Sequence, residues 1–211
     1  MDPKSPPKIT RFNDSITMES QLTMESQLTM VGTREFAVGL GSNLGNRAEW
    51  LFQACQWLES VLGEPVAASS VWESEPWGYA SPNPYLNQVM IFRSDKDAME
   101  LLAILMKVEK HMGRVRPLDG GMADRCIDLD LLWVDQEILP SVSEPPSEGQ
   151  LRVPHPRLHL RRFVLEPLAE IRPEWTHPVM GLTVMELLQQ CQDQGPVRRV
   201  DFEIDTMAEI L

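Results

Sequence analysis

The pattern of hydrophobic and polar positions predicts an ordered series of strands and helices from Phe36 onward. Short apolar runs indicate strands, whereas apolar residues that recur every three or four positions indicate helices with one buried face. The strands fall at 36–40, 66–73, 86–93 and 127–134, and the helices at 46–62, 97–112, 164–171 and 182–190. The order β-α-β-β-α-β is that of a ferredoxin-like split βαβ unit. We therefore predict an α+β fold, with helices packed on an antiparallel sheet.

Polar residues and glycine mark the ends of two of these helices. Asn46 precedes the first helix and Glu49 follows three residues later, a spacing typical of a capping box. Gly113 follows the second helix, and glycine commonly ends helices at this position. Both helices therefore have predicted boundaries as well as a predicted buried face.

Composition divides the 211 residues into three predicted parts. Residues 1–33 contain three prolines and a duplicated Thr-Met-Glu-Ser-Gln-Leu segment, which predicts a disordered tail. Residues 34–190 form the predicted folded domain, with 140–150 as an inserted surface loop. Residues 191–211 are predicted to be an acidic C-terminal extension. At 43% hydrophobic residues, the chain can build one core without disulfides.

Charge, hydropathy and cysteine usage argue against a nucleic-acid-binding, membrane or secreted protein. The net charge of −12 argues against a nucleic-acid partner, because a phosphate backbone requires a broad basic surface. No run of about 18 apolar residues predicts a membrane span, and no secretory signal is evident. Cys55, Cys126 and Cys191 are odd in number and form no CxxC pair, which suits a reducing compartment. We expect a cytoplasmic, monomeric protein.

The arginines are concentrated in one third of this acidic chain. Guanidinium groups match phosphate oxygens in geometry and charge, so such a cluster indicates a small polyanionic ligand. A salt-bridged surface is the alternative interpretation of the cluster. Its members are Arg114, Arg116, Arg125, Arg152, Arg157, Arg161 and Arg162.

The strongest local signal is the pair Asp128 and Asp130 on a predicted strand. Residues two apart on a strand share a face and lie about 6.6 Å apart along the chain. Two carboxylates at roughly 6 Å repel by about 3 kcal/mol at an effective dielectric of about 20. A cation between them removes this cost, and Mg²⁺ accepts one or two carboxylates together with phosphate oxygens. The alternative is a solvated strand face, against which the nearby Arg125 argues.

Two further sites carry candidate binding groups. Tyr85 and Asn87 share a strand face, and a ring beside an amide suits a flat heterocycle that needs stacking and hydrogen bonds. An ordinary strand start would have the same composition. His155 lies between two prolines and close to arginines, which favours a phosphate contact over a purely structural role.

Taken in order, these residues resemble the 6-hydroxymethyl-7,8-dihydropterin pyrophosphokinase family of folate biosynthesis. The resemblance runs from about Phe36 to Gln190. The segments that carry it are Gly41-Ser42-Asn43-Leu44-Gly45-Asn46, Tyr85-Leu86-Asn87, Glu109, Gly113-Arg114-Val115-Arg116, Arg125-Cys126-Ile127-Asp128-Leu129-Asp130-Leu131-Leu132, Val153-Pro154-His155-Pro156-Arg157, Arg161, Phe163-Val164-Leu165 and Pro167-Leu168.

The resemblance implies a diphosphokinase that transfers pyrophosphate from ATP to the pterin and releases AMP. Asp128 and Asp130 would hold two magnesium ions. The triphosphate would be bound by Arg114, Arg116, Arg125, His155 and Arg161, and Glu109 and Leu131 would border the adenosine. Tyr85 and Phe163 would sandwich the pterin, and its edge would be read by Asn87 and by the segment Ser74, Glu75, Pro76 and Trp77.

One segment departs from the family pattern. The family usually has a basic residue and Trp-Gly-Pro before the arginine that matches Arg125, whereas this chain has Gly121-Met122-Ala123-Asp124. A relative that binds pterin or nucleotide without efficient turnover is therefore the main alternative. A magnesium-dependent phosphohydrolase is a second one, but it would need a water-activating base near the metal, and the sequence offers none.

Overall fold

The structure, a computed structural model, describes residues 32–114, 123–141 and 150–201. The contact pattern divides the chain after residue 33, and the fold below is that of residues 34–201. Most of the predicted tail and of the predicted insertion lies outside the described residues, as does 202–211. The predicted domain boundaries therefore stay predictions.

Within the described residues, the strands are β1 Arg34–Ser42, β2 Ala67–Ala68, β3 Val71–Ser74, β4 Tyr85–Ser94, β5 Asp128–Val134 and β6 Val197–Val200. The helices are α1 Arg47–Leu62, α2 Ala98–His111, α3 Arg162–Ile171 and α4 Val184–Gln190, with a short 3₁₀ helix at Leu158–Leu160. None of the helices that the structure describes has the length and apolar character needed to cross a membrane.

The strands form one sheet in the order β5-β1-β4-β3-β6, with β2 paired to β4 beside β3. Every strand pairing in this sheet is antiparallel. The first and last strands of the βαββαβ series, β1 and β5, lie side by side, as a split βαβ unit requires. The predicted α+β fold, with helices packed on an antiparallel sheet, is confirmed.

The observed strands differ from the predicted ones at two places. The strand predicted over 66–73 is two strands, because Ser69 bonds to Val89 through both its backbone N–H and its hydroxyl while Ser70 donates to Glu170. In addition, 197–200 forms β6 and pairs with β3. These residues fall within the segment predicted as an acidic extension.

The predicted cap of α1 is confirmed, and α2 has a complete capping box. Asn46 accepts from the backbone N–H of Glu49 and donates to its carboxylate at 3.1 Å. At α2, the Asp97 carboxylate accepts from the backbone N–H of Glu100, and the Glu100 carboxylate accepts from the backbone N–H of Asp97. Gly113, just beyond α2, has a φ of 81°, a left-handed conformation that costs glycine little.

The sheet has a hydrophobic core on each face, because alternate strand residues point to opposite sides. The core that includes residues of α1 and α2 contains Phe36, Val38, Leu40, Leu51, Leu58, Leu101, Leu105, Leu129 and Leu131. The core that includes residues of α3 and α4 contains Ala37, Val89, Ile91, Leu132, Leu158, Val164, Leu165 and Leu187. Since Leu129 and Leu131 belong to the first core, Asp128 and Asp130 are directed to the second face.

Candidate functional site

A cavity of about 590 Å³ lies on the sheet face that carries Asp128 and Asp130. Residues of β1, β3, β4 and β5, the segment around His155 and the start of α3 contribute to its walls. Most of the side chains singled out in the sequence line it: Ser74, Glu75, Trp77, Tyr85, Asn87, Arg114, Arg125, Asp128, Asp130, Leu131, His155, Arg161 and Phe163. The fold therefore brings together residues that are up to 89 positions apart, from Ser74 to Phe163.

Two glycines of β1 leave the floor of the cavity open. Gly41 lies in the sheet between Asp128 on β5 and Asn87 on β4. A Cβ atom added to Gly41 would lie 3.5 Å from Tyr85 Cδ1 and 3.6 Å from Asn87 Oδ1. Gly39, two residues earlier, also lines the cavity. A larger side chain at Gly41 would occupy the space between the acidic residues and the Tyr85–Asn87 pair.

Asp128 is held by two arginines at the beginning of β5. Its Oδ2 is 2.9 Å from Nη1 of Arg125, and its Oδ1 is paired with Arg114. Arg125 is fixed in turn by Asn43, which accepts from the Arg125 N–H at 2.8 Å and donates its own N–H to the Arg125 carbonyl. Burial and the nearby charge of Asp130 raise the pKa of Asp128, although both arginines oppose this shift. The charged form of Asp128 is therefore less favoured in the fold than that of a free aspartate.

Asp130 is more exposed to the cavity and faces one arginine and one histidine. Its Oδ2 is 3.0 Å from Nη1 of Arg161 and 4.0 Å from Nε2 of His155. Burial acts against the charged carboxylate, but His155 and Arg161 outweigh it and lower the pKa of Asp130. Burial also lowers the pKa of His155 to about 4, so this imidazole is neutral at pH 7. His155 can then donate one hydrogen bond without carrying a positive charge.

The acidic pair fits a metal that is shared with a ligand. Among the described residues, no group of three or more His, Cys, Asp or Glu side chains is arranged to hold a metal ion. Mg²⁺ does not require such a group, because it is commonly bound by one or two carboxylates together with substrate phosphates and water. Asp128 and Asp130 supply two carboxylates on one face of β5, both lining the cavity.

The opposite part of the cavity carries aromatic and amide groups. Asn87 is buried and donates to the hydroxyl of Ser74 at 3.0 Å and to the Trp72 carbonyl at 3.4 Å. The Tyr85 hydroxyl lies 2.8 Å from that of Tyr79. Burial and this hydrogen bond raise the pKa of Tyr85, so the phenol stays protonated. These fixed groups leave an aromatic face and the Asn87 carbonyl oxygen available to a ligand.

Arg161 connects the charged and aromatic parts of the cavity. Its guanidinium carbon lies 5.3 Å from the ring centroid of Trp77 and 5.6 Å from that of Phe163, within the range of cation–π contacts. The same guanidinium pairs with Asp130. Its Nε atom is buried and has no hydrogen-bond partner among the described residues, so the side chain keeps donor capacity.

Four residues singled out in the sequence are not among those that line the cavity: Arg162, Glu109, Pro76 and Arg116. Arg162 pairs with Glu166 instead. Glu109 is almost fully buried; it accepts from the Leu129 N–H at 2.8 Å and pairs with Arg114. Pro76 lines a separate, open depression beside the cavity. Arg116 lies outside the described residues.

Sequence reasoning did not single out Tyr79, Gln88 and Leu102, which also line the cavity. Asn43 was noted only as part of a motif, yet it fixes Arg125, which is 82 positions away in the chain. No local pattern distinguishes these residues, because their roles depend on partners that are remote in the sequence.

The model of the 7,8-dihydro-6-hydroxymethylpterin-pyrophosphokinase (HPPK) family matches residues 37–173. The chain belongs to the HPPK family. Members of this family transfer pyrophosphate from ATP to a hydroxymethyl dihydropterin in folate biosynthesis, so the chain is a diphosphokinase and ATP is its co-substrate. The resemblance on which the sequence analysis relied is thus confirmed.

Curated relatives agree with this membership of the HPPK family. The 2-amino-4-hydroxy-6-hydroxymethyldihydropteridine pyrophosphokinase of Porphyromonas gingivalis is 38% identical over 142 residues, which cover 67% of this chain and 92% of the relative. The enzyme of the same name from Synechocystis is 36% identical over 163 residues, 76% of this chain and 78% of the relative. Nothing in these matches favours the alternative of a catalytically weakened relative.

Solved structures support the HPPK fold. The HPPK-DHPS of Plasmodium falciparum matches with a TM-score of 0.60 at 14% identity, over 75% of this chain. The present chain spans 43% of that longer solved chain. At this identity the likeness concerns the fold alone.

Proposed function

We propose that this HPPK carries out its transfer in the cavity described above, with nucleotide at the charged part and pterin at the aromatic part. The observation that supports this proposal is the lining of one cavity. Asp128, Asp130, His155 and arginines that include Arg114, Arg125 and Arg161 lie on one side, and Tyr85, Asn87 and Phe163 lie on the other. A triphosphate requires the first set of groups and a flat, hydrogen-bonding heterocycle requires the second.

We assign two magnesium ions to Asp128 and Asp130. Bound magnesium would neutralise phosphate charge and help to hold the phosphate chain in place for transfer. The carboxylates supply one ligand or two, and phosphate oxygens and water supply the rest. The raised pKa of Asp128 supports the assignment, because a cation would relieve the repulsion between the two aspartates.

The arginines have a double role in this proposal. Without nucleotide, Arg114 and Arg125 neutralise Asp128, and Arg161 neutralises Asp130. With Mg²⁺ held by Asp128 and Asp130 beside a bound triphosphate, these guanidinium groups would be released from the carboxylates and become available to phosphate oxygens. Exchanging ion pairs in this way keeps the buried charges compensated in both states, which limits the cost of desolvation.

His155 and Glu109 assist the phosphate side by different means. His155 is neutral and offers an N–H to a phosphate oxygen beside Arg161. Glu109 is sealed behind the cavity, so we propose that it acts by holding Arg114 and the β5 backbone at Leu129. The resemblance implied that Glu109 borders the adenosine. The side chain is buried and does not line the cavity, so the structure gives no support for that contact. Leu131 does line the cavity and remains a proposed neighbour of the adenosine.

On the pterin side, the rings of Tyr85 and Phe163 are proposed to stack on the two faces of the heterocycle. Asn87, whose amide N–H₂ is engaged by Ser74, would accept from the pterin edge through its oxygen. Glu75 and Trp77 line the same part of the cavity, and Pro76 is proposed to contribute through the backbone of this segment.

The proposed reaction joins the hydroxymethyl oxygen to the β-phosphorus of ATP. The bond from the β-phosphorus to the oxygen that bridges it to the α-phosphorus breaks, and AMP leaves with that oxygen. The chain's contribution is to align the attacking and leaving oxygens and to place Arg114, Arg125 and Arg161 around the charge that develops.

Product analysis tests this proposal. The protein, ATP, Mg²⁺ and 6-hydroxymethyl-7,8-dihydropterin should yield equal amounts of AMP and pterin diphosphate, measured by ion-exchange chromatography. ADP with a pterin monophosphate would contradict transfer of an intact pyrophosphoryl group. Release of inorganic phosphate without a pterin product would favour the phosphohydrolase instead.

A further inference from the structure

A hydrogen-bond network lies directly beside the candidate site and is centred on Asp124. The Asp124 carboxylate accepts from Asn43 Nδ2 at 2.7 Å, from the Tyr79 hydroxyl at 3.1 Å and from Asn83 Nδ2 at 2.5 Å. Its negative charge is therefore directed to donors of the protein, which also include the Ser81 side chain. Asp124 itself does not line the cavity.

The donors to Asp124 belong to segments that reach both parts of the cavity. Tyr79 and Asn83 come from the connection between β3 and β4, which precedes Tyr85. The Tyr79 hydroxyl continues the network to the Tyr85 hydroxyl at 2.8 Å. Asn43 follows β1 and also fixes the backbone of Arg125. The Asp124 carboxylate thus links two segments. One is the connection between β3 and β4, which leads to Tyr85, and the other is Asn43, which holds Arg125.

The Tyr79 hydroxyl links Asp124 to Tyr85, which lines the cavity. The Tyr79 hydroxyl lies within hydrogen-bond distance of Asp124, Asn43 and Tyr85 at once. An ionised acceptor on this hydroxyl directs its proton, which leaves an oxygen lone pair for the proton of Tyr85. The orientation of the Tyr85 phenol is then set through Tyr79 by a residue that does not line the cavity.

We propose that Asp124 is a positioning residue for the pterin, acting through Tyr79 on Tyr85. This inference rests on the proposed function, since it takes Tyr85 as a pterin-stacking ring. It also gives a physical reason for the departure from the family pattern before Arg125. The aspartate replaces a proline, which has no side-chain acceptor, and supplies the bonds that hold the 75–84 connection against the site.

Asp124→Asn is the first test, because it keeps the shape of the side chain and turns one acceptor oxygen into a donor. That donor would face Asn83 Nδ2 or the Tyr79 hydroxyl. Binding of 6-hydroxymethyl-7,8-dihydropterin should be measured by calorimetry in the presence of Mg²⁺ and an ATP analogue with a methylene bridge between the α and β phosphorus atoms. We expect the pterin Kd to rise about tenfold, the effect of losing a charged hydrogen bond, and the analogue Kd to change less than about twofold.

A double-mutant cycle distinguishes positioning from a general structural role. Tyr79→Phe removes the hydroxyl and keeps the ring, and it should weaken pterin binding in the same direction. If Asp124 acts through Tyr79, the double variant should bind pterin about as weakly as one single variant, rather than about a hundredfold more weakly than the parent. Asp95→Asn is the matched control, because Asp95 is exposed and remote from this network.

Unchanged pterin affinity in Asp124→Asn and in Tyr79→Phe would overturn the proposal, and so would additive effects in the double variant. Should Asp124→Asn fail to fold, Tyr79→Phe with unchanged pterin affinity would still overturn it. A parent protein that forms AMP and pterin diphosphate while the variants bind pterin normally would leave the proposed function intact and remove only the role of Asp124.

Discussion

Two clusters of carboxylates and arginines lie in different parts of the sheet and are built from the same residue types. In the first, Glu73 on β3 pairs with Arg47 of α1 at 3.2 Å and with Arg198 of β6. In the second, Asp128 and Asp130 on β5 pair with arginines from outside the sheet. Only the second cluster lines the large cavity.

The pKa values of the carboxylates separate these two clusters. Hydrogen bonds from Arg198, and then from Arg47, lower the pKa of Glu73. Burial and a second carboxylate raise the pKa of Asp128, despite its two arginines. Both clusters are therefore paired with arginines, but burial and the neighbouring Asp130 penalise the charge of Asp128, whereas the hydrogen bonds from the arginines dominate at Glu73. A carboxylate whose charge is penalised next to a cavity indicates a site for a cation and its ligand.

Asp130→Asn should produce the largest difference between the clusters. The amide keeps the shape but removes a charge that attracts Mg²⁺, so we expect turnover to fall by about 10²–10³-fold. Glu73→Gln, the matched change in the other cluster, should alter turnover less than about twofold, because surface changes away from a site are usually small. Steady-state AMP formation at saturating Mg²⁺ measures both. Equal losses in the two variants would break the comparison.

Glu109 lies behind the cavity, and its substitution shows whether Asp128 contributes less to stability than a buried structural carboxylate. It shares Arg114 with Asp128, but its side chain is 3% exposed, against 25% for Asp128. Glu109→Ala should lower the free energy of unfolding by about 3 kcal/mol, because it leaves Arg114 and the Leu129 N–H short of a buried partner. Asp128→Asn should change it by less than about 1 kcal/mol. Urea unfolding without ligands measures both values, and similar losses would mean that Asp128 is as structural as Glu109.

Glu73 should give the smallest effect, visible in the pH dependence of stability. Its folded pKa lies below the ordinary value of 4.5, so the unfolded chain takes up the proton first as the pH falls. The stability that ionised Glu73 contributes is complete above about pH 4.5 and is lost as the pH falls through the folded pKa. Between pH 6 and pH 3 the parent should lose about 0.5–1 kcal/mol more stability than Glu73→Gln. Parallel pH profiles in urea unfolding would contradict this expectation.

The sequence predicted the parts of the fold that depend on local pattern. Short apolar runs located β1, β4 and β5, and the two-residue period of a strand placed Asp128 and Asp130 on a common face, opposite Leu129 and Leu131. The cap formed by Asn46 was also predictable, because it involves residues only three positions apart.

The parts that the sequence did not predict depend on remote partners. β6 is four residues long and is defined by pairing with β3, whose residues lie more than a hundred positions earlier. Asp124 drew attention only as part of the segment that departs from the family pattern, because its donors, which include residues 43, 79 and 83, are brought to it by the fold. Residues 116–122 lie outside the described residues, so the predicted contact between Arg116 and the triphosphate stays a prediction.

We propose that the metal and the nucleotide bind at the Asp128–Asp130 cluster and not at the cluster of Glu73, Arg47 and Arg198. Titration with Mn²⁺ in the presence of the methylene-bridged ATP analogue, followed by electron paramagnetic resonance, counts bound ions directly. We expect two ions per chain for the parent and for Glu73→Gln, and fewer than two for Asp130→Asn. Equal stoichiometry and affinity in Asp130→Asn and the parent would contradict it.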